Sequence, residues 1–211
     1  MKEYMLLFDL DGTLWNSAKE VADSWNIVLQ KRNPSIPLLT ASDLNSLMGK
    51  TMDEIAELIL PEMPLEGRRE LFRECEEFEV AYIAEHGAKL YPKVKETLKT
   101  LSDAGYRMAI VSNCQKGYIN AFFTSMHMKT YFCDMEEWGN TKKSKAENIR
   151  LVMERNQFEK AVYIGDTIKD QEAAQIAGIP FIHTAYGFGE VENADGTIQK
   201  FEDLPALLRK Y

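Results

Sequence analysis

Asp9 and Asp11 stand two residues apart at the end of the apolar run Met5-Leu6-Leu7-Phe8, and Gly12-Thr13 follows at once. A short apolar run bounded by turn formers reads as a buried parallel strand. Side chains alternate across a strand, so the two acids point one way for as long as the extended backbone lasts. Like charges that close repel and raise a pKa unless a cation between them reverses the local electrostatics. The stretch therefore asks for a metal.

Three further groups carry chemistry. Asp166, with Asp170 one helical turn beyond it, adds hard oxygen donors of the kind magnesium takes together with waters and a phosphate. Zinc has little support, because His86, His127 and His183 are scattered and no cysteines have ligand spacing. Ser112 and Asn113 end an apolar run and offer short donors to an anion. Lys145 lies in Ser144-Lys145-Ala146-Glu147, which has capping-box spacing. A lysine in a first helical turn opposes the helix dipole, which an anion in front of it would explain, and Lys143 competes for the same role.

Other signals read more plainly. Gly49-Lys50-Thr51 imitates the end of a P-loop, but position 44 is leucine and no strand precedes it. Gly187-Phe188-Gly189 reads as a mobile loop near the pocket. Cys114 reads as a buried free thiol.

The elements that must gather these residues follow from periodicity. A helix from Asn16 or Ser17 (Val21, Ala22, Trp25, Val28, Leu29) stops near Asn33-Pro34, and three more helical patterns begin near Ser42, Met52 and Glu66. From Tyr91 the pattern becomes alternating: a helix opened by Pro92 and ending at Gly105, the strand Arg107 to Val111, and a helix from about Lys116 to His127. A weaker strand follows around Tyr131 to Asp134, then a helix from Ser144 to about Asn156 and the strand Ala161 to Ile164. A helix to Ala177, the strand Ile179 to His183 and a last helix near Leu204 to Leu208 complete the chain. Strands alternating with helices predict an α/β fold with a mainly parallel sheet, helices on both faces and ligands at the carboxyl ends of the strands. The expected division is a parallel-sheet core of residues 1–16 and 89–211 with an inserted helical segment, residues 17–88.

With 211 residues, 25 basic and 33 acidic, the chain carries a net charge of -8, which argues against nonspecific nucleic-acid binding. Cys75, Cys114 and Cys133 lack the pairing of a disulfide framework and point to a reducing cytoplasm. No apolar stretch approaches the roughly 20 residues of a membrane span.

Asp9-Leu10-Asp11-Gly12-Thr13, the strand ending in Ser112-Asn113, Lys145 before its helix, and Gly165-Asp166-Thr167-x-x-Asp170 together resemble the four ordered motifs of the haloacid dehalogenase superfamily. Asp9 to Asn16 and Tyr163 to Gly178 resemble its phosphoglycolate phosphatase-like branch. That resemblance implies a Rossmann-like catalytic core (residues 1–16 and 89–211), a helical cap inserted after the first strand (residues 17–88) and magnesium-dependent hydrolysis of a small phosphorylated metabolite through an aspartyl-phosphate. It implies Asp9 as nucleophile and metal ligand, and Asp11 as general acid and base with its carbonyl on the metal. Asp166 would complete the metal site, with Asp170 behind a metal-bound water. Ser112, Asn113 and Lys145 would hold the phosphoryl group. In the cap, Met48-Gly49-Lys50-Thr51 is the expected specificity loop, and Trp138 is placed to narrow the pocket. A phosphomutase using the same core is the alternative outcome, and a non-catalytic phosphate sensor the alternative from another class.

Overall fold

The computed structural model describes residues 3–47 and 52–210. The chain begins with β1 (Met5–Phe8) and β2 (Trp15–Asn16), runs through the helices α1 (Ala18–Arg32), α2 (Ala41–Leu47), α3 (Met52–Ile59) and α4 (Leu65–His86), and returns in β3 (Lys89–Leu90). It continues as α5 (Val94–Asp103), β4 (Met108–Ser112), α6 (Tyr118–Met126), β5 (Asp134–Glu137), α7 (Trp138–Thr141) and α8 (Lys145–Arg155). The last elements are β6 (Ala161–Gly165), α9 (Ile168–Ala177), β7 (Phe181–Thr184), β8 (Gly196–Ile198) and α10 (Leu204–Leu207).

Six strands form one sheet in the order β5-β4-β1-β6-β7-β8, every neighbouring pair parallel. From β1 the chain steps outward to β4 and β5, then crosses back to β6, β7 and β8 on the other side. The order therefore reverses at β1, and the crevice at such a switch point is where open α/β sheets bind ligands. β1 is fully buried because it is flanked by strands on both edges and helices on both faces. Its alternation divides the core. Met5 and Leu7 join Ala109, Val111 and Tyr163 in a cluster with Ile149 and Val152 of α8 and Ala173 and Ala174 of α9. Phe8 faces the opposite layer, its ring 6.2 Å from that of Phe132 and 6.0 Å from that of Phe201.

By internal contacts the chain divides into two compact units, Met1–Asn16 with Lys89–Tyr211, and Ser17–Ala88. In the second, α1 packs on α4 and α2, and α3 on α4. There Trp25 Nε1 donates to the buried carboxylate of Glu79 at 2.5 Å, and the indole meets Phe72 edge-on, so the acid is not left without a partner. Among the described residues no helix is long and apolar enough to cross a membrane.

One strand lies elsewhere than expected. Residues 129–131 form a short 3-10 turn, and β5 occupies Asp134-Met135-Glu136-Glu137, three acids in four residues that no hydrophobic pattern would select. Glu136 and Glu137 are nevertheless buried, because Arg155 and Asn140 hydrogen-bond Glu136 while the N–H groups of Gly117 and Ile119 donate to Glu137. Long-range partners here override propensity. The short β2–β3 pair and β8 likewise left no readable pattern.

Candidate active site

Asp9 follows β1 directly, and its N–H donates to Ile164 O of β6 at 2.8 Å. The residue keeps the parity of Met5 and Leu7, on the layer that contains α8. At the first turn of α8, Ser144 and Glu147 close the capping box, and Lys145 reaches back to place Nζ 2.8 Å from Asp9 Oδ1. Lys145 is only 8% exposed. Its ammonium is shared with Asp170 Oδ1 at 2.5 Å. Asp170 is 1% exposed, and its other oxygen accepts from the N–H groups of Asp166 and Thr167 and from the Thr167 hydroxyl, closing the capping box that starts α9. Both Asp170 oxygens are thus committed.

Asp166 is fully buried beyond the end of β6. Phe188 N–H donates to its Oδ2 at 2.7 Å, whereas Oδ1 is buried with no hydrogen-bond partner. Its carboxylate is wedged between two glycines. A Cβ on Gly12, whose φ is +81°, would come within 2.0 Å of Asp166 Oδ2, and one on Gly187 would lie 2.3 Å from Asp166 Cβ. The loop 187–189, expected near the pocket, packs against Asp166.

Asp11 lies past the end of β1, in the turn closed by Gly12 N–H donating to Trp15 O, so strand parity does not extend to it. Its Oδ1 accepts from the Tyr118 hydroxyl at 3.1 Å. Ser112 is buried at the carboxyl end of β4, with Asn113 exposed just beyond it. Lys143 is exposed, so of the two competing lysines the fold brings Lys145 to Asp9. Trp138 is 39% exposed at the start of α7, with Lys142 Nζ 3.7 Å from its ring centroid. Gly49 and Lys50, the expected specificity loop, lie outside the described residues.

The electrostatics ask for a cation. Burial, opposed by Lys145 and reinforced by Asp170 and Asp11, pushes the Asp9 carboxyl up to about 7. Burial together with Asp170 and Asp9 pushes Asp166 up to about 8. Burial disfavours the Lys145 charge, but Asp170 and Asp9 more than offset it and hold the ammonium well above its ordinary range. One oxygen each from Asp9, Asp166 and Asp170 fall within 4.8 Å of one another. A desolvated carboxylate oxygen with no donor, beside two further acids, is the surrounding a hard divalent ion relieves. The donor set fits magnesium, with Asp9 and Asp166 as the available carboxylates and Asp170 held back by Lys145.

Two contributors carried no sequence signal of their own: Tyr118, and Glu137, whose carboxylate fixes the start of α6. Only Thr167 was readable, as the capping partner three residues before Asp170.

The family model described as haloacid dehalogenase-like hydrolase matches residues 6–184. A phosphoglycolate phosphatase of Photorhabdus laumondii is 28% identical, the match covering 94% of this chain and 89% of the relative. One of Aquifex aeolicus is also 28% identical, with 97% and 96% covered. Among solved structures, a predicted phosphoglycolate phosphatase from Haemophilus somnus superposes with a TM-score of 0.85 at 23% identity, covering 99% of each chain.

Proposed function

The chain belongs to the haloacid dehalogenase-like hydrolase family and is a phosphoric monoester hydrolase, and from that premise we propose that it hydrolyses a small phosphomonoester, phosphoglycolate foremost, through a phosphorylated Asp9. The observation that supports this reading best is the buried ammonium of Lys145 on Asp9 Oδ1, next to an Asp166 oxygen that has no donor.

In this mechanism Asp9 attacks phosphorus while the bond to the leaving-group oxygen breaks, and Asp11 gives that oxygen a proton. Asp11 then takes a proton from water as the water displaces Asp9 from phosphorus. A carboxylate nucleophile divides one difficult displacement into two easier ones. Lys145 neutralises charge on the phosphoryl oxygens, the Ser112 hydroxyl and the Asn113 amide orient them, and Asp170 keeps Lys145 in place. Asp9, Asp166 and the Asp11 carbonyl would hold magnesium, which when bound would supply charge neutralisation at the transferring group. Residues 17–88 serve as the cap that selects the leaving group, with Gly49 and Lys50 among the residues that read it.

Phosphoglycolate is put first because the curated relatives carry that activity in their names. The test is phosphate release from a panel of small phosphomonoesters, with and without magnesium. Magnesium-dependent release, highest for phosphoglycolate, is expected. No release from any monoester would refute the reading, and release that is highest for a sugar phosphate would move the substrate but keep the chemistry.

A further inference from the structure

We infer that Tyr118 is the positioning residue for Asp11, fixing its carboxylate at the angle from which it serves the leaving-group oxygen. The inference rests on the reading of Asp11 as general acid and base.

The hydroxyl of Tyr118 donates to Asp11 Oδ1 at 3.1 Å. The two residues are 107 positions apart and belong to different elements, so only the fold makes the contact. Tyr118 itself has little freedom. It is 2% exposed, and its ring meets Trp15 edge-on at 5.8 Å and 68°. It is the first residue of α6, where Gly117 N–H donates to Glu137 Oε1 at 2.5 Å and Ile119 N–H to Glu137 Oε2 at 3.2 Å. Glu137 is buried at the end of β5, so the start of α6 is tied to the sheet by a charge-assisted pair of hydrogen bonds.

The backbone around Asp11 is held by the same neighbour. Trp15 O accepts from Gly12 N–H at 2.9 Å, and Trp15 forms a bridge with Asp11. Trp15 therefore grips the turn that carries Asp11 and the ring that holds its side chain. A general acid must meet the departing oxygen at hydrogen-bond distance in one orientation, and a small misplacement costs up to about a hundredfold in rate. Without the phenol, the Asp11 carboxylate, on a turn beyond the strand end, loses the donor that sets its angle.

This role predicts a loss that depends on how much the leaving group needs a proton. Tyr118→Phe keeps the ring, its packing on Trp15 and the helix start, so the fold is retained; an unchanged melting temperature checks this. For an alkyl monoester, phosphoglycolate or glycerol 3-phosphate if that is the one turned over, kcat/KM should fall roughly 10- to 100-fold. For p-nitrophenyl phosphate, whose phenolate departs without a proton, it should change by less than about threefold. In an Asp11→Asn background the same substitution should add no further loss.

Equal losses on both esters, no loss on the alkyl ester, or a full multiplicative loss in the Asp11→Asn background would each overturn the positioning role. Asp11→Asn alone separates the two layers. If it is selective for the alkyl ester while Tyr118→Phe is not, only the inference about Tyr118 fails. If Asp11→Asn is itself indifferent to the leaving group, the reading of Asp11 falls and the inference falls with it.

Discussion

Lys145 donates to Asp170 at 2.5 Å and to Asp9 at 2.8 Å, a single ammonium joining the acid that follows β1 to the acid that starts α9. Asp170 is expected behind a metal-bound water; in the structure its Oδ1 accepts from Lys145 and its Oδ2 from the N–H groups and hydroxyl that start α9.

That assignment separates two substitutions. Asp170→Asn loses the charge that anchors Lys145 and should lower kcat about 10- to 100-fold, while magnesium affinity by calorimetry stays within about threefold. Asp166→Asn should do the reverse, weakening magnesium binding by at least about tenfold. Equal effects of both variants on metal affinity would contradict the division.

Under the proposed mechanism Asp9→Asn removes the nucleophile while preserving shape, and hydrolysis should fall to background with the fold intact by circular dichroism. Acid-quenched enzyme incubated with labelled substrate should contain covalent phosphate in the wild type and none in the variant. Label retained by the variant would place the nucleophile elsewhere.

Gly187→Ala tests the wall behind Asp166. The new methyl would lie 2.3 Å from Asp166 Cβ and 2.5 Å from Gly12 O, neither of which is the far end of a flexible chain. The expected result is a large loss of activity with a raised magnesium requirement. Wild-type activity at saturating and at limiting magnesium would show that the loop yields, against the packing described.

Glu136 gives a pH prediction for stability away from the site. Burial raises its pKa, but hydrogen bonds from Asn140, Arg155 and the Glu137 N–H outweigh it, so its carboxyl titrates below the ordinary glutamate range. For a carboxylate depressed in the folded state, the stabilisation is present above the unfolded value, roughly pH 4–5, and is lost as the pH falls through the folded value. Glu137 has the opposite sign, because burial holds its carboxyl above the ordinary range against the N–H groups of Gly117 and Ile119. Glu136→Gln should therefore be destabilised most near neutral pH, and its deficit in denaturant unfolding should shrink as the pH is lowered. A deficit independent of pH would exclude the charged pair as its source.

Much of the fold and of the site was legible in the residue order. Hydrophobic periodicity marked β1, β4 and β6 as buried strands because each is covered on both faces, and turn formers after them placed Asp9, Ser112 and Asp166 at strand ends. The capping box at Ser144 located Lys145, since that signal is local in sequence. β5 escaped because its acids are satisfied by Arg155, Asn140 and the start of α6, partners that pattern alone does not reveal.

The sequence by itself therefore determined which chemical groups the protein owns and which strand end carries each, because both follow from residue type and short-range period. Tertiary structure alone decided how those groups are apportioned. It brought Lys145 to Asp9 and left Lys143 exposed, set Asp170 against the same ammonium, left Asp166 Oδ1 without a hydrogen-bond partner, and joined Tyr118 to Asp11. The physical reason is that hydrogen bonds and charge pairs between distant residues depend on strand order and helix placement, which the packing of the whole core sets.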